Sequence, residues 1–275
     1  MPGLFWKNER MNTPWRQNKR LWLSIVIFVL LGFFAASYWR GVRISGVKLV
    51  TAGAITLGEL EQGQKIFIDN SRVDTVKSSS EKTFKNYKPG LHTVIVARDG
   101  YWPWTKKVEI KEARTVTIKP FLLPQNGSGM IVTDKDPEYR KLRDAVLAAR
   151  LPEAERPQTS LDNRTRVWSD GLKIYAASQN PTVPFYFCEP ACEEVMTILD
   201  SKEAITNVDF LPGRNDVIIF SNETGIYALE LDRRSPQNFQ PLYPASGARF
   251  SIIDGEIYIV TSDEMLLNIF IKVNG

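Results

Sequence analysis

The sequence predicts a mainly β protein: one N-terminal transmembrane helix, a small β-sandwich, a helical linker, and about three propeller-blade-like β repeats in an open or partial propeller. Three observations predict this class. A long uncharged apolar run lies near the N-terminus, the following segment alternates apolar and polar residues, and a phrase ending in glycine recurs at a fixed period in the distal part of the chain.

The apolar run extends from Leu21 to Trp39, nineteen residues without a charge. At ~1.5 Å of rise per residue, a helix of this length can cross a hydrocarbon core of ~30 Å. Lysine and arginine are more numerous before the run than after it, which favours a cytoplasmic N-terminus. We therefore predict a single-pass integral membrane protein with residues 1–20 as a cytoplasmic tail and the body on the other side.

A cleaved signal peptide is the alternative to the anchor, because Ala35-Ala36-Ser37 has the small residues of a cleavage site. Cleavage would release a secreted binding protein. Under either interpretation the body lies outside the cytoplasm.

The formal charge of +4 is unevenly distributed along the 275 residues. Residues 1–48 carry a net charge of +7, residues 49–124 carry +4, and residues 125–275 carry −7. The basic character therefore belongs largely to the membrane flank. An acidic distal half disfavours nucleic acid as a partner.

Residues 44–124 have the pattern of a small β-sandwich. Every second residue is apolar in Lys65-Ile66-Phe67-Ile68-Asp69, and the same alternation recurs from Thr115 to Lys119. Turn-forming residues separate the strands at Asp69-Asn70-Ser71, Lys88-Pro89-Gly90 and Asp99-Gly100. The spacing suits the hairpins of a sandwich.

This segment resembles the PEGA domain, a small bacterial extracytoplasmic β-sandwich. The resemblance rests on Gly63 with Lys65–Asn70, on Tyr87-Lys88-Pro89-Gly90-Leu91-His92-Thr93-Val94, and on Arg98-Asp99-Gly100-Tyr101. The eponymous tetrapeptide is degenerate here, with Glu61-Gln62-Gly63-Gln64 in its place. The resemblance implies an adhesion or positioning module without catalytic residues, in a protein of the bacterial plasma membrane.

An aromatic cluster follows the last of these motifs. Tyr101, Trp102 and Trp104 are candidate binding residues, because their rings can stack on sugar faces or fill a pocket of a partner. The alternative is that Tyr101 and one tryptophan belong to the sandwich core, since aromatic side chains dominate the burial of a small domain.

Residues 125–163 are predicted to form a linker. Gln125-Asn126-Gly127-Ser128-Gly129 indicates a flexible break, and Asp136-Pro137-Glu138 is typical of a helix start. The predicted helix covers residues 137–150 and docks loosely on the distal domain. A partner-binding amphipathic helix is the alternative.

Residues 164–275 contain the repeats. Gly171, Gly213 and Gly255 are each 42 residues apart, and a short apolar strand follows each of them. A period of this length with about four strands is typical of propeller blades. Three repeats are too few to close a propeller, which typically needs about four to eight blades. Either the end sheets are covered within the chain, or another chain completes the domain, so the oligomeric state is open.

The only two cysteines, Cys188 and Cys192, could form a disulfide in an oxidising compartment, and reduced thiols are the alternative. Their spacing is not a metal signature, and the single histidine, His92, lies in another domain. We predict no metal site, no cofactor and no catalytic residue.

These observations predict a non-catalytic envelope protein that binds or scaffolds a protein or cell-wall partner, such as peptidoglycan. The alternative function is an envelope-polymer hydrolase that uses paired acids such as Asp209 and Asp216. No catalytic-serine, zinc-protease or phosphate-binding motif occurs in the sequence.

Overall fold

The computed structural model describes residues 15–39, 42–45, 48–179, 187 and 193–271. Two helices lie within these ranges, α1 at Trp15–Trp39 and α2 at Tyr139–Ala148, and all other regular elements are β-strands. The predicted mainly β class with one N-terminal apolar helix is therefore confirmed.

Helix α1 contains the predicted span. Its segment Leu21–Trp39 is long and apolar enough to cross a membrane, and a signal sequence near the N-terminus would satisfy the same criterion. None of the span is buried against the rest of the protein. The helix begins at Trp15, so residues 15–20, predicted as tail, continue the helix. The remainder of the predicted tail lies outside the described residues.

Nine strands follow α1. The first two, Val42–Ser45 (β1) and Lys48–Thr51 (β2), pair only with each other. The other seven form a three-stranded and a four-stranded sheet. They are β3 (Gly53–Leu60), β4 (Lys65–Ile68), β5 (Ser71–Thr75), β6 (Ser80–Tyr87), β7 (Gly90–Ala97), β8 (Trp104–Ile110) and β9 (Thr115–Ile118).

These two sheets have the orders β6-β3-β9 and β5-β4-β7-β8, with β3 and β9 parallel and all other pairs antiparallel. Apolar residues of β3, β4, β7 and β8 meet in a shared core that includes Ile55, Leu57, Ile66, Val94 and Val108. The period-two alternation of the sequence thus corresponds to one buried face per sheet.

The remaining twelve strands form three four-stranded antiparallel sheets. The first sheet is built from β11 (Gln158–Thr159), β12 (Thr165–Ser169), β13 (Lys173–Ser178) and β14 (Val195–Asp200) in that order. The second is built from β15 (Asn207–Phe210), β16 (Val217–Asn222), β17 (Gly225–Glu230) and β18 (Phe239–Tyr243). The third combines β19 (Arg249–Ile253), β20 (Glu256–Val260) and β21 (Leu266–Phe270) with β10 (Ser128–Val132).

The 42-residue period has a backbone cause. Gly171, Gly213 and Gly255 each occupy the turn that joins β12 to β13, β15 to β16, or β19 to β20, and each has a positive φ, at 99°, 77° and 82°. Glycine adopts this region without steric cost. Strand β15 contacts both β12 and β19, so the three sheets approach one another through these strands. The described part of the chain forms no closed propeller.

The segment predicted as a flexible break is ordered into the third sheet. Strand β10 pairs antiparallel with β21, from Ser128 opposite Phe270 to Val132 opposite Leu266. Helix α2 then covers the third sheet, with Leu142 and Val146 packed against Val260 and Leu266. Between the sandwich and the repeats, β10 and α2 therefore belong to the third sheet and its covering, whereas β11 belongs to the first sheet.

The sandwich and the second and third sheets share one hydrophobic core. Phe121 and Leu123, which follow β9, join the sandwich residues to Val217, Ile219 and Phe250 of the repeats. A second cluster fills the space between the first and second sheets, with Val167 and Ile174 on one side and Phe210 and Phe220 on the other.

Candidate functional site

A charged cleft of about 410 Å³ lies where the sandwich, the first sheet and the second sheet meet. This volume is within the ~300–1,000 Å³ that small-molecule sites typically occupy. Its charged lining residues are Glu59, Lys119, Asp162, Arg164, Arg214, Asp216, Glu230, Asp232 and Arg234. We refer to this region as the interdomain cleft.

Arg214 fixes one wall of the interdomain cleft. It lies in the turn between β15 and β16 with only 3 % of its side chain exposed, and it binds both carboxylate oxygens of Asp216 at 2.7 and 2.8 Å. It also donates to the backbone carbonyls of Lys119 and Pro120, at 2.9 and 3.1 Å. Burial alone would lower the pKa of Arg214, but the charge and hydrogen bonds of Asp216, together with the charges of Glu59 and Glu230, outweigh burial and raise it. The guanidinium therefore ties the repeats to the end of the sandwich.

Glu59 approaches the same wall from strand β3. Its φ of 56° lies in the left-handed region, at a bulge where the register with β6 shifts between Leu57 and Leu60. A non-glycine residue there is strained, and such strain is concentrated at functional sites. Oε1 accepts from Lys119 Nζ at 2.6 Å. Oε2 lies 3.5 Å from Arg214 Nη1, but it is buried and accepts no hydrogen bond from any described residue.

Asn215, beside Arg214, has a similar unsatisfied acceptor. Its Oδ1 is buried, and among the residues that the structure describes it has no hydrogen-bonding partner. Glu59 and Asn215 both line the interdomain cleft. One cleft therefore contains two side chains that each have an acceptor oxygen without a donor.

Lys106 forms a buried ionic cluster behind the cleft. Its side chain, which is fully buried, lies 2.7 Å from Glu230 Oε2 and 3.6 Å from Asp232 Oδ2. Its Nζ also donates to the backbone carbonyls of Asp232 and Arg234, at 3.0 and 3.1 Å. A lysine from the sandwich is thus held by atoms of strand β17 and of the loop between β17 and β18.

The two carboxylates of this cluster respond differently to burial. Burial raises the pKa of Glu230, and the charge of Lys106 offsets only part of that rise. Burial would also raise the pKa of Asp232, but hydrogen bonds from Arg234, 2.6 Å away, and the charge of Lys106 hold it below its ordinary value. Two cations share Asp232, which explains the difference.

Two amide side chains complete the contact between the sandwich and the second sheet. Asn238 accepts from the backbone N–H of Thr105 and donates to its carbonyl, both at 2.9 Å. Gln240 accepts from the N–H of Leu123 at 2.8 Å and donates to the carbonyl of Phe121 at 3.3 Å. These bonds satisfy backbone groups of β8 and of the segment after β9 that would otherwise be buried without partners.

The aromatic residues singled out from the sequence occupy different environments. Trp104 is 1 % exposed and belongs to the shared core, so its ring offers no face to a ligand. Trp102 is half-buried and packs against that core. Tyr101 is half-buried, with the guanidinium of Arg98 4.6 Å from its ring centroid. A ligand could therefore contact only Tyr101 and Trp102 without disturbing the core.

The structure does not bring Asp209 and Asp216 together at the interdomain cleft. Asp216 is bound on both oxygens by Arg214, whereas Asp209 is not among the lining residues. Asp209 lies two residues after Asn207 on β15, and Asn207 donates to the Phe250 carbonyl of the third sheet at 3.0 Å. Because alternate strand residues share a face, Asp209 is directed towards the third sheet.

The carboxylate of Asp209 has a strongly perturbed pKa. Burial raises the pKa from 3.8 to about 6, and the hydrogen bond from the Phe210 N–H offsets only part of that rise. In the folded state Asp209 thus binds a proton at a pH where the unfolded chain has released it. The stability that this proton provides is present below about pH 4 and is lost as the pH rises to about 6.

We expect Asp209→Asn to stabilise the protein at pH 7.5 by up to about 3 kcal/mol and to have little effect at pH 4, because the amide remains neutral at both values. Urea unfolding of the full chain at a series of pH values measures this difference. Asp134→Asn, at an exposed carboxylate, is the control and should leave the pH profile unchanged. Equal effects of Asp209→Asn at pH 4 and pH 7.5 would contradict the prediction.

The remaining sequence candidates lie elsewhere. Cys188 and Cys192 are outside the described residues. His92 is a structural residue of the sandwich, with Nδ1 2.6 Å from Asp69 Oδ2 and Nε2 2.7 Å from the Lys88 carbonyl oxygen. Within the described ranges, no group of three or more histidine, cysteine or acidic side chains could hold a metal ion.

Lys106 and Arg214 were not identified from the sequence, although the alternation around Lys106 indicates a charge on a buried face. In the strand from Trp104 to Ile110, alternate residues face inward, and Lys106 is the one charged residue among them. A charge on a buried face requires a partner from another element. The identity of that partner is not encoded locally, because Glu230 and Asp232 are more than a hundred residues away in sequence.

No protein-family model matches this chain, and no curated protein is significantly similar to it.

Proposed function

We propose that this protein is a non-catalytic, single-pass membrane protein of the bacterial envelope, whose extracytoplasmic body binds or scaffolds a protein or cell-wall partner. The observation that carries the proposal is the buried ionic contact of Lys106 with Glu230 and Asp232. It joins the sandwich and the repeats into one body, which is what a protein needs if it positions a surface at a fixed place relative to an anchor.

The proposed topology places the N-terminus in the cytoplasm and the body outside it. Support comes from the apolar helix Leu21–Trp39 and from the excess of basic residues before it. An integral anchor, rather than a cleaved signal, agrees with an apolar run of 19 residues, which is longer than the ~7–15 residues of a signal-peptide apolar region. The alternative of a cleaved, secreted binding protein keeps the same body and the same cleft.

The proposal also assigns a fold to each of the two β regions. The two packed sheets from Gly53 to Ile118 and the turn motifs of the sequence support a PEGA-like sandwich. The three four-stranded antiparallel sheets, each with a positive-φ glycine in one hairpin turn, support blades of an open or partial propeller. Helix α2 covers the third sheet, which is one way to protect the end of an open array.

The hydrolase alternative requires an acid and a base with separate roles. Both carboxylate oxygens of Asp216 are engaged by Arg214, and Asp209 does not line the interdomain cleft. An acid with a raised pKa near 6 is nevertheless the feature a general acid would need. The experiment for the proposed function therefore measures turnover together with binding.

The test uses the full chain in lipid nanodiscs, incubated with isolated peptidoglycan and then sedimented. We expect the protein to sediment with the polymer and to release no soluble fragments. Release of fragments, lost in Asp209→Asn or Asp216→Asn, would replace the proposal with the hydrolase. If the protein does not sediment, crosslinking in intact cells tests for the protein partner, and a failure of both experiments would refute the proposal.

A further inference from the structure

We propose that the interdomain cleft is a binding site for a neutral, hydroxyl-rich ligand, a saccharide segment, and that Glu59 and Asn215 receive hydrogen bonds from its hydroxyl groups. This inference deepens the proposed function and rests on it, since it names the chemical class that the body would bind.

Two acceptor oxygens of residues that line the cleft have no hydrogen-bond donor among the described residues. Glu59 Oε2 and Asn215 Oδ1 are both buried without a donor from the described residues. Buried acceptors without donors are uncommon in folded proteins because they lose their hydration and gain nothing in return. The terminal torsions of Glu and Asn are broad, so either oxygen can turn towards a ligand in the cleft. A ligand that supplies two donors would remove this deficit.

The positive and negative charges that line the cleft nearly balance, which indicates a neutral ligand. Five acidic and four basic residues line the cleft. Three of the four cations are engaged by local partners: Arg214 binds Asp216, Lys119 binds Glu59, and Arg234 binds Asp232. An anion could pair only with Arg164 unless it displaced one of these carboxylates, and a strongly charged ligand of either sign would be repelled by part of the lining.

A metal ion is disfavoured by the surroundings of Glu59. Lys119 Nζ lies 2.6 Å from Oε1, and Arg214 Nη1 lies 3.5 Å from Oε2. A cation bound to this carboxylate would be placed beside two positive groups, which Coulomb repulsion opposes. A hydroxyl donor carries no net charge and avoids this repulsion.

The other polar residues that line the cleft suit a sugar. Hydroxyl groups both donate and accept, and the exposed Thr117 offers the same dual capacity. Arg164 has 62 % of its side chain exposed, and its nearest carboxylate, Asp162, is 4.0 Å away, so it can donate to a ligand oxygen. The bulge at Glu59 sets the backbone position of this residue beside the cleft.

The experiment measures binding of two neutral oligosaccharides, N-acetylchitotetraose and maltotetraose, to the full chain by calorimetry. The chain is held in nanodiscs, since sugar-based detergents would compete for the cleft. We expect at least one of the two to bind, and tetragalacturonate, an anionic oligosaccharide of the same length, to bind more weakly. Absence of binding by both neutral probes, or tighter binding of tetragalacturonate, would overturn the inference.

Asn215→Leu locates the site. Leucine has a similar shape but lacks the acceptor, so the dissociation constant should rise at least tenfold while the melting temperature is unchanged or higher, because an unsatisfied buried acceptor has been removed. Glu59→Gln, which keeps the side-chain shape, should also weaken binding. Asn126→Leu, at an exposed asparagine outside the cleft, is the matched control and should bind as the unaltered chain does. Unchanged binding by Asn215→Leu would overturn the inference.

The outcomes separate this inference from the proposed function. If the chain sediments with peptidoglycan while neither oligosaccharide binds, the saccharide site is wrong and the scaffold function stands. If an oligosaccharide binds and is cleaved, the saccharide site stands and the non-catalytic function is wrong.

Discussion

Replacement of Lys106 by methionine is expected to destabilise the protein by about 3–5 kcal/mol, because it leaves buried carboxylates without their compensating charge. Glu230 would lose its cationic partner, and Asp232 would retain only Arg234. Methionine has nearly the same length and fills the space of the lysine stem, so a cavity contributes little. Urea unfolding of the full chain, followed by tryptophan fluorescence, measures the difference.

The neighbouring lysine provides a matched control. Lys107 is on the same strand but is exposed, so Lys107→Met should change the free energy of unfolding by no more than about 0.5 kcal/mol. Adding Glu230→Gln to Lys106→Met should recover part of the loss, since it removes the uncompensated charge. Equal effects of Lys106→Met and Lys107→Met would mean that the buried cluster does not stabilise the contact between the sandwich and the repeats.

We expect Trp104→Ala to lower the free energy of unfolding by about 3–5 kcal/mol, because truncation of a fully buried ring removes its packing and leaves a cavity. The ring lies among residues of the sandwich and of the repeats in one core. Its Nε1 is buried and has no hydrogen-bonding partner among the described residues, so Trp104→Phe removes no hydrogen bond. The phenylalanine variant should therefore be clearly less destabilised, as thermal unfolding of both variants would show.

This result bears on the aromatic binding residues predicted from the sequence. Loss of binding in Trp104→Ala would report unfolding rather than a missing contact. Trp102→Ala and Tyr101→Ala are the informative changes, since both rings are only half-buried. If Trp104→Ala unfolded at the same urea concentration as the unaltered chain, the position of this ring in the core would be contradicted.

The sequence was most informative where a local rule determines the structure. The span Leu21–Trp39 is apparent from composition, because the hydrocarbon core sets its length. Positive φ at Gly171, Gly213 and Gly255 explains why the repeat period could be measured from glycine alone. A strand follows each glycine as predicted, beginning at Lys173, Val217 and Glu256.

The elements that the sequence missed depend on distant partners. Ser128–Val132 is rich in glycine and serine at its start, which indicates a flexible break when the segment is considered alone. Its pairing with Leu266–Phe270 overrides that local preference. The interdomain cleft could not be predicted for the same reason. Glu59, Arg214 and Asp232 meet only because the sandwich packs on the second sheet, and no spacing in the sequence encodes that contact.

The third sheet also constrains the order in which the body can assemble. Ribosomes make a chain from its N-terminus, so β10 is complete long before β21, its partner, exists. During that interval β10 has an unpaired edge, and the intervening chain forms a long loop whose closure carries an entropic cost. The first and second sheets can form from their own consecutive strands. The last sheet, and with it the covering by α2, must wait until Phe270 has emerged.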